Sequence, residues 1–329
     1  MTAKDPRIVA LRRFAISITA LTVVGLTWLG FEQAYATPVV AVLTAYLIEL
    51  TLETIEARAR RRPARYRGGA TNLIDFLLPA HITGLACSML LYANSEPWPV
   101  IFAVTVAIGS KYVIRIKVGG RPRHVLNPSN LGIVATLLLF PWVGIAPPYQ
   151  FTEWIRGPLD WVIPAVILVS GTLLNAQLTR KVPLIAGWVI GFAVQAVVRT
   201  AIEHTAMESA LLVMTGTVFI LFTNYMITDP GTTPARPWRQ AAFGVATAAT
   251  YGVLVYLHVV FGLFFCLAIV CALRGLGLAT LSLRQRRPGQ TTVPVSRSRP
   301  ATAPATARVN VTSDGAPARP APAAGSADG

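Results

Sequence analysis

Carboxylates are scarce in this sequence: 14 Asp and Glu stand against 29 Lys and Arg in 329 residues, and only 13% of the chain is charged. A water-soluble protein ordinarily has charge on about a quarter of its residues, so this surface is not built for water alone. Cysteine is nearly missing too. Cys87, Cys266 and Cys271 lie in apolar runs without C-x-x-C or zinc-finger spacing, and three thiols are too few to hold an iron–sulfur cluster alone. They read as small packing residues. No G-x-S-x-G, P-loop or H-E-x-x-H occurs, which removes the sequence marks of α/β-hydrolases, P-loop NTPases and zinc proteases. Glu203, His204 and Glu208 have no further acidic or histidine partner nearby, so no metal site is expected.

What the chain has is apolar sequence, 53% hydrophobic with a mean hydropathy of +0.55, in runs long enough to cross a bilayer. The fold class expected is all-α: a polytopic membrane protein of about ten transmembrane helices, near 14–31, 37–54, 73–92, 98–115, 130–146, 159–176, 183–199, 208–226, 239–257 and 260–278. Residues 1–13 then form a cytoplasmic N-terminus, 14–281 the transmembrane domain, and 282–329 a Pro-, Ala-, Thr-, Ser-, Gly- and Arg-rich cytoplasmic tail expected to be disordered. Residues 1–36 also resemble a signal peptide ending in Ala34-Tyr35-Ala36, but the apolar run is longer than the usual signal core, so a retained first helix is expected.

Charge sets the orientation. With both termini cytoplasmic, 27 of the 29 basic residues fall on the cytoplasmic side, and only Arg156 and Arg199 fall opposite, as the positive-inside rule requires. The net charge of +15 is thereby explained by topology and anionic lipid rather than by nucleic acid. The expected location is the plasma membrane, crossed many times.

The polar residues that remain cluster at helix ends on that same side. The stretch from Lys111 to Gly132 is a basic, glycine-bearing loop running into Asn127-Pro128-Ser129-Asn130. Asn127 suits an N-cap and Pro128 the first helical position, and free N–H groups at such an end attract anions. Glu49, Glu53 and Glu56 share one face of helix two, followed by six arginines between Arg58 and Arg67. These carboxylates read either as a salt-bridged collar or as catalytic groups. Asp75 opens helix three. His81 lies deep in it, where an ionisable group faces a cavity or bonds a neighbouring helix. Asn175, Asn224, Thr228 and Asp229 end helices six and eight. Their common level suggests either a cytoplasm-facing polar pocket or the ordinary polarity of an interface.

Two of these stretches resemble a known family. Lys111 with its glycine-bearing loop, Asn127-Pro128, an apolar helix closing on Phe140-Pro141, and then Thr228-Asp229-Pro230 with Thr232-Thr233, a nearby arginine and Gly244 resemble the RnfD/NqrB family. The likeness spans about residues 72 to 278. Those proteins are ten-helix membrane subunits of ion-translocating, flavin-containing electron-transfer complexes, and the nearest resemblance is to the actinobacterial UnbU-like branch found with enediyne antibiotic biosynthesis. The resemblance implies redox or ion-coupled electron transfer in enediyne-type natural-product biosynthesis, alongside redox or biosynthetic partner proteins.

One departure from the family limits its cofactor. The family carries covalent FMN on a threonine of a Ser-x-Ala-Thr-like motif after the Asn-Pro helix. Here that segment offers only Thr152, while Gly69-Ala70-Thr71 precedes the helix and Met214-Thr215-Gly216-Thr217 lacks the alanine. Covalent FMN is therefore not expected. A noncovalent flavin, FMN or riboflavin, stays open, with Lys111, Asn127, Asn130, Thr228 and Asp229 as its candidate pocket. The other reading is a transporter or channel for a natural product, a precursor or an ion, with His81, Asp75, Glu49 and Asn224 along its polar path.

Overall fold

The computed structural model describes residues 6–94, 96–118, 121–147 and 153–284, all within one unit, Met1–Arg287. Thr152, most of the tail expected to be disordered and the first five residues lie outside the described residues. Helix dominates because backbone groups in hydrocarbon must satisfy one another. In order the helices are α1 (Pro6–Val24), α2 (Ala36–Ala59), α3 (Ala70–Leu90), α4 (Trp98–Val113), α5 (Pro128–Leu139), α6 (Leu159–Leu174), α7 (Val182–Glu203), α8 (Met207–Leu212), α9 (Thr217–Leu221), α10 (Pro237–Tyr256) and α11 (Gly262–Arg284). Among the described residues six helical segments are long and apolar enough to cross a membrane, and a seventh crossing results if α8 and α9, bent by 60° at their junction, are one broken span. The chain is thus an all-α polytopic membrane protein.

Three expected spans change shape. The fourth stops at Val113, and the chain turns into a hairpin of β2 (Arg115–Val118) on β3 (Arg121–His124), with Arg115 opposite His124. The fifth, expected to reach 146, ends at Leu139, because Pro141 has no N–H to continue it. The chain beyond it pairs β4 (Gly144–Ile145) with β1 (Leu91–Tyr92). The eighth breaks at Gly216. The last helix runs to Arg284, three residues past the expected end of the transmembrane domain.

Packing rests on small residues that let backbones approach. A side chain at Gly132 of α5 would collide with the Ala103 carbonyl of α4. Gly187 of α7 meets the Ala241 backbone of α10, and Gly244 of α10 meets the Leu184 carbonyl of α7. Around this second contact the rings of Trp188, Phe192, Phe219, Phe222 and Tyr251 form one cluster, with Phe192 and Phe219 centroids 4.8 Å apart. The Trp188 indole donates to the Thr223 hydroxyl at 2.9 Å, which satisfies the one polar atom the ring brings inside.

Helices α1 and α6 close alike. Each runs into a π-helical turn, Gly25–Leu29 and Asn175–Thr179, stopped by a left-handed residue, Gly30 at φ 87° and Arg180 at φ 53°. A third π-turn, Phe222–Met226, continues α9.

Candidate functional site

The start of α5 is built as its sequence requires. Asn127 is extended at φ −64° and ψ 121°, and its Oδ1 accepts from the Asn130 N–H at 3.0 Å and the Ser129 hydroxyl at 3.0 Å. The amide's other end reaches across the protein: Nδ2 donates to the Met226 carbonyl at 2.8 Å, one of the orphan carbonyls at that helix's end. Asn130, buried in turn, donates to the Phe264 carbonyl of α11 at 3.0 Å. One asparagine cap therefore joins α5 to the end of the broken α8–α9 helix, and the next asparagine joins it to α11.

Asp229 follows directly. Its carboxylate accepts from the Gly231 N–H at 2.9 Å and the Thr232 hydroxyl at 3.1 Å, and His124 Nε2 of the hairpin stands 3.9 Å away, at ionic range. Its carbonyl accepts from the Thr233 hydroxyl at 2.6 Å. Burial alone would raise the Asp229 pKa, but His124, the Gly231 N–H and Thr232 outweigh it and hold the carboxyl below its ordinary value. Two cations clasp the same loop, Lys181 buried and Arg274 half-buried. Lys181 donates to the Pro234 carbonyl at 2.7 Å and Arg274 to the Thr232 carbonyl at 2.6 Å. Burial lowers the Lys181 pKa to about 8 against the opposing pull of Asp229.

Asn224 and Asn175 meet where two π-turns touch. The Asn175 amide donates to the Asn224 carbonyl at 2.7 Å, and Asn224 accepts from the Thr172 hydroxyl at 3.3 Å. Thr228 also donates to the Asn224 carbonyl, at 2.7 Å. Both asparagines are buried.

The other candidates lie in the first half. Lys111 pairs with Glu49, which also accepts from the Tyr112 hydroxyl at 2.9 Å. Glu53, fully buried, accepts from Arg62 and from both the backbone and guanidinium of Arg65. Glu56 pairs with Arg115 and Arg60. This is the salt-bridged collar. Asp75 is held bidentately by Arg12, at 2.7 and 2.9 Å, which ties α3 to α1. His81 bridges α1 and α2, with Nε2 2.8 Å from the Thr19 hydroxyl and Nδ1 2.8 Å from the Tyr46 hydroxyl. Thr19 spends its proton on the Ala15 carbonyl, so it accepts from Nε2–H, and Nδ1 accepts from Tyr46.

The candidates thus divide into two sets. Asn127, Asn130, Asn224, Thr228 and Asp229 lie along one junction, where the start of α5 meets the π-turn after α9 and the loop that follows it, whereas Lys111, Glu49, Asp75 and His81 each have partners in the first half of the chain. Beside the first set lies a cleft of about 60 Å³, lined by Ser129, Tyr225 and Met226 on one side and Phe14 and Ile18 of α1 on the other. The Phe14 and Tyr225 rings meet edge to face at 4.9 Å. Lys181, Arg274 and Tyr225 were not among the sequence candidates. Arg274, an isolated cation inside an apolar run, carried a readable signal; Lys181 was hidden by its position among ordinary topology-setting charges. Among the described residues no cluster of His, Cys, Asp and Glu could hold a metal ion.

A scan of protein-family models matches none to this chain, and a search of curated proteins finds no match.

Proposed function

We propose that the chain is a multi-pass plasma-membrane subunit resembling RnfD/NqrB, serving redox or ion-coupled electron transfer in enediyne-type natural-product biosynthesis without covalent flavin. One observation carries this reading: the two stretches on which the resemblance rests, about 100 residues apart, meet through the Asn127–Met226 hydrogen bond and the His124–Asp229 contact. Motifs that build one junction support a shared task. The site has the polarity a noncovalent flavin, FMN or riboflavin, would need: cations Lys181 and Arg274 for a phosphate or ring oxygens, and an apolar flank at Tyr225 and Met226. Lys111 is committed to Glu49, so the cationic role passes from it to Lys181 and Arg274.

Ten crossings are part of the proposal. To the six long helices and the bent α8–α9 pair are added α4, α5 and α10, of 16, 12 and 20 residues. At about 1.5 Å per residue α5 is shorter than the hydrocarbon, and the chain after Leu139 completes its passage.

The test is the visible absorption spectrum of detergent-purified protein before and after acid precipitation. Flavin released into the supernatant, and lost in Asp229→Ala, supports the reading. Flavin in the pellet refutes the absence of a covalent link, and no flavin in folded protein refutes the cofactor. A second reading, a transporter for a natural product, a precursor or an ion, is favoured by the 60° break at Gly216 and by the two π-turns joined through Asn175 and Asn224, since broken helices lining polar midplane sites are a transporter device. Under it, radiolabelled product would cross proteoliposomes, and Asn224→Ala would stop it.

A further inference from the structure

The surface between α1 and α6 contains a groove of about 380 Å³ that belongs to neither motif. Its wall on α1 is Arg13, Ile16 and Ser17; its wall on α6 and the following turn is Leu173, Leu174 and Gln177. The polarity is ordered along its length. Arg13 and Gln177 stand at the end on the basic side of the protein. Ser17 lies one turn deeper than Arg13 on the same helix face, Ser170 of α6 adds a hydroxyl that is bonded to the Ile167 carbonyl, and the rest of the wall is aliphatic.

Those polar ends are unspent. Arg12, the neighbour of Arg13, is taken by Asp75, and among the described residues Arg13 makes no ion pair with any acid, nor does Arg180 three residues beyond Gln177. The Ser17 hydroxyl and the Gln177 amide likewise have no side-chain hydrogen bond among the described residues. The apolar side continues outward. Val169 and Val166 stand one and two turns from Leu173 on α6, exposed at 56% and 60%, and Ile16 is exposed at 69%.

We propose that this groove is a binding site for an anionic phospholipid of the leaflet on the basic side. The phosphate accepts from the Arg13 guanidinium and the Gln177 amide, and the Ser17 hydroxyl donates to an ester carbonyl oxygen one helical turn deeper. One acyl chain runs over Ile16, Leu173 and the valines of α6. Arginine suits this role because its fork of donors matches phosphate and stays charged at any working pH. A zwitterionic lipid would bring its own cation to a site that already has one. The site is independent of the electron-transfer reading.

The experiment is native mass spectrometry of the full chain released from nanodiscs holding equal amounts of phosphatidylglycerol and phosphatidylcholine. The parent protein should retain phosphatidylglycerol preferentially. Arg13→Gln should reduce that retention at least fivefold, Arg13→Lys should keep part of it, and Arg58→Gln, which removes an exposed charge on the same side, should leave it unchanged. Leu173→Trp fills the groove without touching charge and should also displace the lipid, which keeps the test decisive if Arg13→Gln folds poorly. Equal retention of the two lipids, equal losses in Arg13→Gln and Arg58→Gln, or full retention in Leu173→Trp would each overturn the proposal.

Discussion

Lys111 offers the sharpest test of what a conspicuous residue is for. Its ammonium and the Glu49 carboxylate have side-chain exposures of only 13% and 8%, and Tyr112 adds a second donor to the same acid. Removing one partner of a buried pair leaves the other charge uncompensated and costs about 3–5 kcal/mol, whereas replacing both groups is often close to neutral. Glu49→Gln keeps an acceptor for Tyr112, and Lys111→Met keeps the length of the stem. Each single variant should therefore lose about 3 kcal/mol, and the double variant should return to within about 1 kcal/mol of the parent, far from the roughly 6 kcal/mol that additivity gives. Equilibrium unfolding in mixed maltoside–SDS micelles measures all four corners of the cycle. Additive losses would refute the pairing. Flavin content read on the same samples separates stability from binding: a double variant that refolds and still holds flavin shows that Lys111 is no part of the cofactor site.

Four other outcomes follow from the geometry. Asn127→Ala removes a helix cap worth about 1 kcal/mol and an interhelical hydrogen bond worth about 0.6–1 kcal/mol, so a loss near 2 kcal/mol is expected on unfolding, and Asn127→Asp should recover only the cap. Gly132→Leu should abolish folded protein on size-exclusion chromatography, whereas Gly109→Ala, with nothing within 4 Å of the added methyl, should gain up to about 1 kcal/mol from helix propensity. Because Lys181 titrates near 8 when folded and near 10.5 when unfolded, the unfolded chain binds more protons between those values, so stability should rise with pH across that window, and Lys181→Met should flatten the slope. Both nitrogens of His81 are occupied; Thr19→Ala and Tyr46→Phe should each cost about 0.6–1 kcal/mol and leave solute flux unchanged, and lost flux at parental stability would make His81 part of a path.

The helices and their polar ends were legible because burial in lipid writes long apolar runs, and the Asn127-Pro128 start follows from capping rules that act within four residues. What could not be read was which polar ends would meet. Glu49 and Lys111 share a level with Asp229, yet helix rotation sends the first two to each other and leaves Asp229 to His124 and the Gly231-Thr232 turn. The truncation of α5 was half legible. Pro141 marks a stop, but the strand that follows depends on Leu91, more than 50 residues earlier, presenting its backbone. The π-turns were not legible at all: no residue type demands them, and at only two of the three do asparagine amides, Asn175 and Asn127, bond carbonyls of the turn, those of Asn224 and Met226.

The two charged regions then differ in what their residues are free to do. In the collar, Glu49, Glu53 and Glu56 each have a basic partner, and Arg62, Arg65 and Arg115 fix the end of α2 to the chain around it. The carboxylates of such a region are all spent, and changes to them should register as stability. Around Asp229 the balance is unequal. Lys181 feels the Asp229 carboxylate, and Lys181 and Arg274 are satisfied by the carbonyls of Pro234 and Thr232, each using one of several available donors. Under the proposed function, these spare donors at the loop after α9 are what would receive an anionic cofactor. Substitutions there should therefore change what the protein binds before they change whether it folds.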